Sequence, residues 1–437
     1  MSRTKLIRKS IFHIISLGTL TRVLNIINGI LLTYYISINY NMDIHTLGIS
    51  SIALLTSIIV EGLILALIPT YQEIEIHHGI EGRFKFTNDI INLIILISLG
   101  FIIIGYGLAP VIIKSMGANF AEEEIKQGIR LFRIGMPIIL FHFIRAISAG
   151  YLQGDHRFLA GAKSGVVSIS IYILHLLIFK DRFGLEGLVV AELMAVAGQT
   201  YVLTKPLFKD GYRYKFNINL ERKSYERLVS FLVPIMIFII ITQLDRKIGS
   251  EIALRFVEKD VLVLGYARKI IDFIYGLLIL AIVTVLFPML AENYNHGKIV
   301  ELKQNIKLGT NILLLVVLPI SLIILVLGNP IVSIIYGNGK LKGEEIISVA
   351  NILKFYGLGL TGMSLSLLIV RIYYAIHDTR TPIILGLLSL FLNLVLNMVL
   401  VKSIGIMGIP LSVSITSTII AILGIYGLNR KKPDKYI

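Results

Sequence analysis

Hydrophobic and polar residues fall along this chain in long blocks, not at the short periods of half-buried strands or surface helices. Twelve apolar runs stand out: Ile11–Ile38, Leu47–Pro69, Ile90–Lys114, Phe132–Leu152, Ala162–Phe179, Leu185–Leu203, Leu228–Ile248, Leu262–Leu290, Leu308–Ile335, Ile352–Ile376, Ile383–Val401 and Gly405–Leu428. A helix needs about 20 apolar residues to cross the hydrocarbon core. The twelve runs therefore predict twelve transmembrane helices, and the run after Arg8-Lys9 is read as a retained first span.

The polar blocks give an orientation. Lys and Arg concentrate in the N-terminal tail (Arg3, Lys5, Arg8, Lys9), after the sixth run (Lys205, Lys209, Arg213, Lys215, Arg222, Lys223, Arg227) and in the C-terminal tail (Arg430, Lys431, Lys432, Lys435). An even number of spans puts all three on one side, which the positive-inside rule makes cytoplasmic. The loop around Asp43 lacks Lys and Arg and suits the outside.

The blocks also repeat. Ala109-Pro110-Val111-Ile112-Ile113 with Gly117 and Glu123-Glu124-Ile125 recurs as Asn329-Pro330-Ile331-Val332-Ser333 with Gly337 and Glu344-Glu345-Ile346. Leu67-Ile68-Pro69 with Glu73 recurs as Leu286-Phe287-Pro288 with Glu292, and Gly150–Asp155 matches Tyr374–Asp378. The offset is roughly 220 residues, or six spans, so the halves share one orientation. The expected architecture is an all-α integral membrane protein. Two six-helix bundles, 1–204 and 228–437, are joined by a basic cytoplasmic linker, 205–227, related by a parallel internal repeat and separated by a substrate path.

Composition agrees and excludes several functions. Of 437 residues, 55% are hydrophobic and 16% charged, with mean hydropathy +0.81. No Cys is present, which removes disulfides, thiol catalysis and Cys metal sites, and no Trp, so Tyr must supply most of any aromatic belt. A net charge of +15 reads as cytoplasmic loops and not as a nucleic-acid surface. His77-His78 with Glu73 and Glu75 reads as solvated charge, and Gly337-Asn338-Gly339-Lys340 as the end of the ninth helix and not a phosphate loop. No enzyme chemistry and no nucleotide site are expected, so transport would draw on an ion gradient or the membrane potential.

Charges inside apolar runs are the candidate chemistry, because one at mid-bilayer costs about 2.5–3.5 kcal/mol on insertion scales. Arg22, Glu61, Arg145, Glu192, Asp245, Arg268, Asp272 and Arg371 lie in or at the ends of spans. Those near span ends, such as Arg246, Lys247 and Lys269, can snorkel, and Arg268 with Asp272 can pair at i, i+4. Arg22, Arg145, Arg268 and Arg371 facing one cavity would suit a diphosphate, which guanidinium binds bidentately. Between Arg371 and Asn397 the pattern breaks at a polar hinge with Asp378, Thr379, Thr381 and Pro382. Asn393 and Asn397 then share one helix face.

The hinge run Tyr373-Tyr374-Ala375-Ile376-His377-Asp378-Thr379-Arg380-Thr381-Pro382 resembles that of the MurJ (MviN) lipid II flippases, within the superfamily of multidrug, oligosaccharidyl-lipid and polysaccharide exporters. Thr21-Arg22, Glu61-Gly62 with Ile68-Pro69, Leu244-Asp245-Arg246 with Ser250, and Tyr266-Ala267-Arg268 with Phe287-Pro288 are similar to other motifs of that family. The family's next first-span arginine and aspartate fall on Asn28 and Gly29, and a second-span arginine falls on Thr56 or Ser57. The resemblance implies a flippase moving a polyprenyl-diphosphate-linked saccharide, lipid II or a related envelope precursor, across the bacterial cytoplasmic membrane by alternating access. It makes Arg22, Glu61 and Arg268 substrate-binding candidates, beside Arg145 and Arg371, which are candidates from their depth in apolar runs. A sodium site of some members maps to Asp245 and Asn393, with Asn397 in place of a second acid, so Na+ is a candidate coupling ion. Two other functions stay open: a cation-coupled drug exporter of the same superfamily, and a non-transporting scaffold for envelope synthesis. Partners are lipid, and the sequence leaves the oligomeric state unspecified.

Overall fold

The computed structural model describes residues 3–35, 42–117, 120–179, 184–216, 222–256, 261–337 and 343–430. Lys431, Lys432 and Lys435 of the basic tail, the Ile36–Ile38 end of the first run, and Asn338–Lys340 lie outside them. Among the described residues the elements are all helical, and the chain forms two compact units, Met1–Leu232 and Val233–Ile437. Nine helices among the described residues are long and apolar enough to cross a bilayer, or ten if one bent pair is a single span. The protein is a multi-pass membrane protein.

Unit 1 contains α1 (Arg3–Tyr35), α2 (Met42–Met116), α3 (Glu122–Gly135), α4 (Ile138–Gly154), α5 (Phe158–Phe179) and α6 (Gly184–Lys209), then the start of α7 (Arg222–Phe256). The second and third apolar runs are the two arms of α2, a 75-residue helix broken at Gly79, whose φ of 65° and ψ of −170° suit only glycine. A straight helix of that length would measure about 112 Å, far more than one crossing of a core about 30 Å thick. The fourth run bends by 41° between α3 and α4, where Pro137 has no N–H for the helical ladder.

Unit 2 continues with α8 (Val261–Ile274), a π-turn over Tyr275–Ile279, α9 (Leu280–Asn295), α10 (Ile299–Tyr336), α11 (Gly343–Ala375), α12 (Arg380–Ile404) and α13 (Gly408–Arg430). The eighth run is thus α8 and α9 joined through the π-turn. Helix α10 kinks at Leu327, just before Pro330, whose ring crowds the preceding turn.

The repeat is written in the backbone. Among the described residues, left-handed φ values occur at Gly79, His156, Gly184, Gly211, His377, Gly297 and Gly405. Six of these pair across the units as Gly79 with Gly297, His156 with His377, and Gly184 with Gly405; the seventh, Gly211, lies in the basic linker. Each histidine ends a helix in the same way. The Arg157 N–H donates to Leu152 O at 2.9 Å, and the Asp378 N–H to Tyr373 O at 2.9 Å, closing an αL cap after the last turn. This geometry sets the hinge register. Asp155 corresponds to Ile376, and not to Asp378 as the sequence match has it, because the left-handed residue and not the acid marks the end of each helix.

The linker is a built part of unit 1. Asn88 accepts from the Lys215 N–H at 2.7 Å and donates to the Lys215 carbonyl at 2.5 Å, and Asn92 donates to the same carbonyl at 3.0 Å. Arg227, at the other end, pairs with Glu73 at 3.1 Å.

Candidate functional site

In unit 2, three helices bring oxygen atoms together. Asp245 lies on α7, Asn393 and Asn397 on α12, and Ser412 on α13. The α12–α13 turn is tight: a Cβ on Gly408 would sit 2.5 Å from the Leu400 carbonyl carbon, so only glycine allows α13 to fold back so closely. That approach delivers Ser412 to the asparagines. Asn393, Asn397 and Ser412 are 4%, 0% and 0% exposed, and Asp245 is half-buried.

The hydrogen bonds of this cluster run between its own members. The Asn393 Nδ2 donates to Asp245 Oδ1 at 2.7 Å, and the Asn397 Nδ2 to Asn393 Oδ1 at 3.2 Å. The Ser412 hydroxyl then lies 2.9 Å from Asn393 Oδ1, 2.5 Å from Asn397 Oδ1 and 2.8 Å from Ile409 O. A hydroxyl has one hydrogen, so it satisfies one of three acceptors at a time. A buried cluster of carboxylate, amide and hydroxyl oxygens has the chemistry of a hard-cation ligand set. Sequence reading placed Asp245, Asn393 and Asn397; the structure joins them and adds Ser412.

The arginines divide between the units. Arg268, on α8, puts its Nε 3.8 Å from Asp272 Oδ2 and is close enough to Asp245 for their charges to interact. Arg371 is 8% exposed, in the last two turns of α11, where every residue from Leu368 to Ala375 is buried. In unit 1, Arg22 is half-buried on α1 and Glu61 is exposed on α2. Arg145, on α4, has Nη2 3.4 Å from His142 Nδ1, while its buried Nε has no hydrogen-bond partner among the described residues.

The hinge residues have a local structural role. Asp378 Oδ1 accepts from the Arg380 N–H at 3.1 Å and the Thr381 N–H at 3.0 Å, and Oδ2 accepts from the Thr381 hydroxyl at 2.7 Å. Asp378 thus caps α12, and Thr379 precedes its first residue. Pro382 is buried in the first turn, where a missing N–H costs nothing.

One cluster has no counterpart in the sequence reading. Arg83 is 1% exposed, the largest fully buried side chain. It pairs with Glu75 at 2.5 Å and with Asp155, donates to Tyr151 O at 2.6 Å, and stacks 3.8 Å over the Tyr151 ring. Burial alone would lower its pKa, but the Asp155 carboxylate, with Tyr151 and Glu75, outweighs burial and holds it above the ordinary value. Arg157, two residues along, forks onto Asp210 of the linker. Glu73 and Glu75, expected to be solvated, are therefore arginine partners, and the described residues hold no group of His, Asp and Glu with metal-binding geometry.

Comparison with known proteins places this architecture. The family model described as "Lipid II flippase MurJ" matches residues 32–436. A probable lipid II flippase MurJ of Buchnera aphidicola subsp. Acyrthosiphon pisum is 25% identical over 413 residues, covering 92% of this chain and 80% of that protein. One of Rhizobium meliloti is 27% identical over 368 residues, covering 82% and 68%. Among solved structures, the inward closed conformation of the lipid II flippase MurJ is similar with a TM-score of 0.64 at 22% identity, covering 94% of this chain and 86% of that one. A MATE transporter in its bent conformation gives 0.82 at 13% identity, covering 98% and 97%, a likeness of fold alone. On the match across nearly its whole length, the chain belongs to the MurJ lipid II flippase family.

Proposed function

We propose that this protein flips a polyprenyl-diphosphate-linked saccharide, as the names of its relatives indicate for lipid II, across the bacterial cytoplasmic membrane by alternating access, with both termini cytoplasmic. A cation held by Asp245, Asn393, Asn397 and Ser412 couples to that movement. The observation that carries the coupling is the meeting of one carboxylate, two amide oxygens and a hydroxyl from three helices in one hydrogen-bonded cluster. A monovalent cation there would balance the carboxylate and relieve the oxygens of each other. Sodium, a hard cation that takes oxygen ligands, suits this donor set. Arg268, electrostatically close to Asp245, would then be less strongly drawn to that carboxylate and more available to an anion. Two ligands that each favour the other's binding are thermodynamically coupled whichever binds first.

Arg22, Arg145, Arg268 and Arg371 are the candidate headgroup ligands, with Glu61 as an acidic neighbour in sequence space. Guanidinium suits a diphosphate because its fork meets two oxygens at once. The test uses the purified chain in proteoliposomes with a fluorescent lipid-linked disaccharide. Arg268→Ala and Arg22→Ala are each expected to reduce binding roughly tenfold or more, with only partial rescue by Lys. Thermal stability of the wild type should rise in NaCl relative to KCl at equal ionic strength, and Asp245→Asn should abolish the difference. Wild-type transport by both alanine variants would remove the headgroup assignment and favour a scaffolding role in envelope synthesis.

A further inference from the structure

Unit 1 holds a pocket of about 380 Å3 lined by α2, α4 and the end of α6, with Tyr212 and Tyr214 of the linker on one side. Its walls are aliphatic and aromatic, with Ile95, Phe141, Ile144 and Ala197 among them. The polar groups that reach it are already committed. The Thr200 hydroxyl serves Val196 O at 2.8 Å and Phe141 O at 3.1 Å, and Thr204 serves Thr200 O at 3.0 Å. The Tyr212 hydroxyl donates to Asn88 Oδ1 at 3.2 Å, and that of Tyr214 to Asn92 Oδ1 at 2.7 Å. The interior therefore offers surface for hydrocarbon and little to a polar solute.

The exposed residues next in sequence to the lining are the opposite. Lys205, Lys209, Arg213 and Lys215 are exposed and alternate in sequence with the lining residues Thr204, Phe208, Tyr212 and Tyr214. The acid in this stretch, Asp210, is held by Arg157. Tyr201, exposed at the mouth, has the Lys205 Nζ 5.6 Å from its ring centre. An apolar slot beside four cations, at the basic end of a membrane unit, has the polarity of a phospholipid: one chain inward, one anionic head outward.

We propose that this pocket binds an anionic phospholipid of the surrounding leaflet, one acyl chain among Ile95, Phe141 and Ala197 and its phosphate on Lys205, Lys209 and Arg213. Because Tyr212 and Tyr214 of the linker line one side of it, the bound lipid fastens Tyr212–Lys215 to α2. The site depends on the chain's being a membrane protein and not on what it transports.

The absence of Trp makes a direct test possible. Phe141→Trp introduces a sole indole inside the pocket, and Leu174→Trp places one on the exposed face of α5 as a bulk-lipid control. Both variants go into bilayers of phosphatidylcholine with rising phosphatidylglycerol brominated on its acyl chains. Quenching at position 141 is expected to saturate at a lower mole fraction than at 174, while brominated phosphatidylcholine quenches the two alike. Lys205→Gln and Lys209→Gln are each expected to raise the half-saturating fraction roughly fivefold, the effect of about one surface cation. As a readout free of the indole, native mass spectrometry of the protein without the indole should find phosphatidylglycerol retained, and lost in the Lys205→Gln, Lys209→Gln double variant. Equal quenching at both positions, equal retention of phosphatidylcholine, or displacement of phosphatidylglycerol by equimolar polyprenyl phosphate would overturn the proposal; the last would make the pocket a site for the carrier's chain.

Discussion

The two hinges share a backbone and almost nothing else. His156 and His377 take the same left-handed conformation, and each is followed by a residue whose N–H reaches back to close the preceding helix. Around His156 the fastening is ionic and long-range. Arg83 returns from α2 to Asp155, and Arg157 crosses to Asp210. Around His377 it is a helix cap, a hydroxyl hydrogen bond and a ring contact. Asp378 caps the helix that starts two residues later, Tyr373 donates to Gly424 O at 2.8 Å, and the His377 ring packs 5.1 Å from Tyr294. The repeat thus preserved the break in each helix while the side chains that hold it diverged. Chain direction is a backbone property that a few φ values fix, whereas the chemistry at a break is free to change.

The comparison can be broken most severely at Arg83. Arg83→Met strips the centre from the unit 1 clasp and leaves two carboxylates facing each other near a buried site. The two carboxylates are partly exposed, so the loss of the pair, the hydrogen bond to Tyr151 O and the ring stacking is expected to cost about 2 kcal/mol, and thermal unfolding of the purified protein should shift below the wild type. The same reasoning gives Asp378→Ala a smaller cost, about 1 kcal/mol for a lost helix cap, read in the same melt. If the two losses are equal, the contrast between ionic fastening and helix capping is wrong. Arg157→Ala should cost less again, about 0.2–1 kcal/mol, because its pair with Asp210 is partly exposed, and high salt should erase most of it. The smallest effect is expected at the histidines. Glycine relieves about 1–2 kcal/mol of left-handed strain but adds about 0.5–1 kcal/mol of chain entropy. The lost ring contacts with Phe158 and Tyr294 offset part of that gain, so His156→Gly and His377→Gly should each change stability by less than about 1 kcal/mol; a larger loss at only one of them in parallel melts would separate the two hinges.

What the sequence disclosed depended on the range of the interaction. Apolar runs, basic blocks and the repeated Pro and Glu positions are local, and the helices follow them. Asp245, Asn393 and Asn397 stood out because polar groups in apolar runs are costly. Ser412 did not, since a serine in a span satisfies itself on its own helix, as Ser364 does on Leu360 O at 2.6 Å. Its role arises from the close α12–α13 turn. Arg83 was hidden for the opposite reason. It sits in a charged stretch that reads as solvent-exposed, and only the return of α4, some 70 residues later, buries it. The linker similarly read as a basic tether, because nothing local to Lys215 announces that Asn88 and Asn92 will grip its backbone.

The single-residue turn at Gly79 has a mechanical consequence. The stretch from Thr70 to Asp89 is helical on both sides of that glycine, so where a loop would be slack, this protein carries a stiff prong. Arg83 and Glu75 rivet the two sides of the prong together about midway along it, and Glu73 ties it to Arg227. Anything that grips its tip is therefore connected to two spans, the end of α4 and the start of α7 through bonds that do not stretch. An antibody fragment raised against the exposed ridge at Ile76–Gly82 would act as a handle on unit 1, and holding it still would hold those helices still.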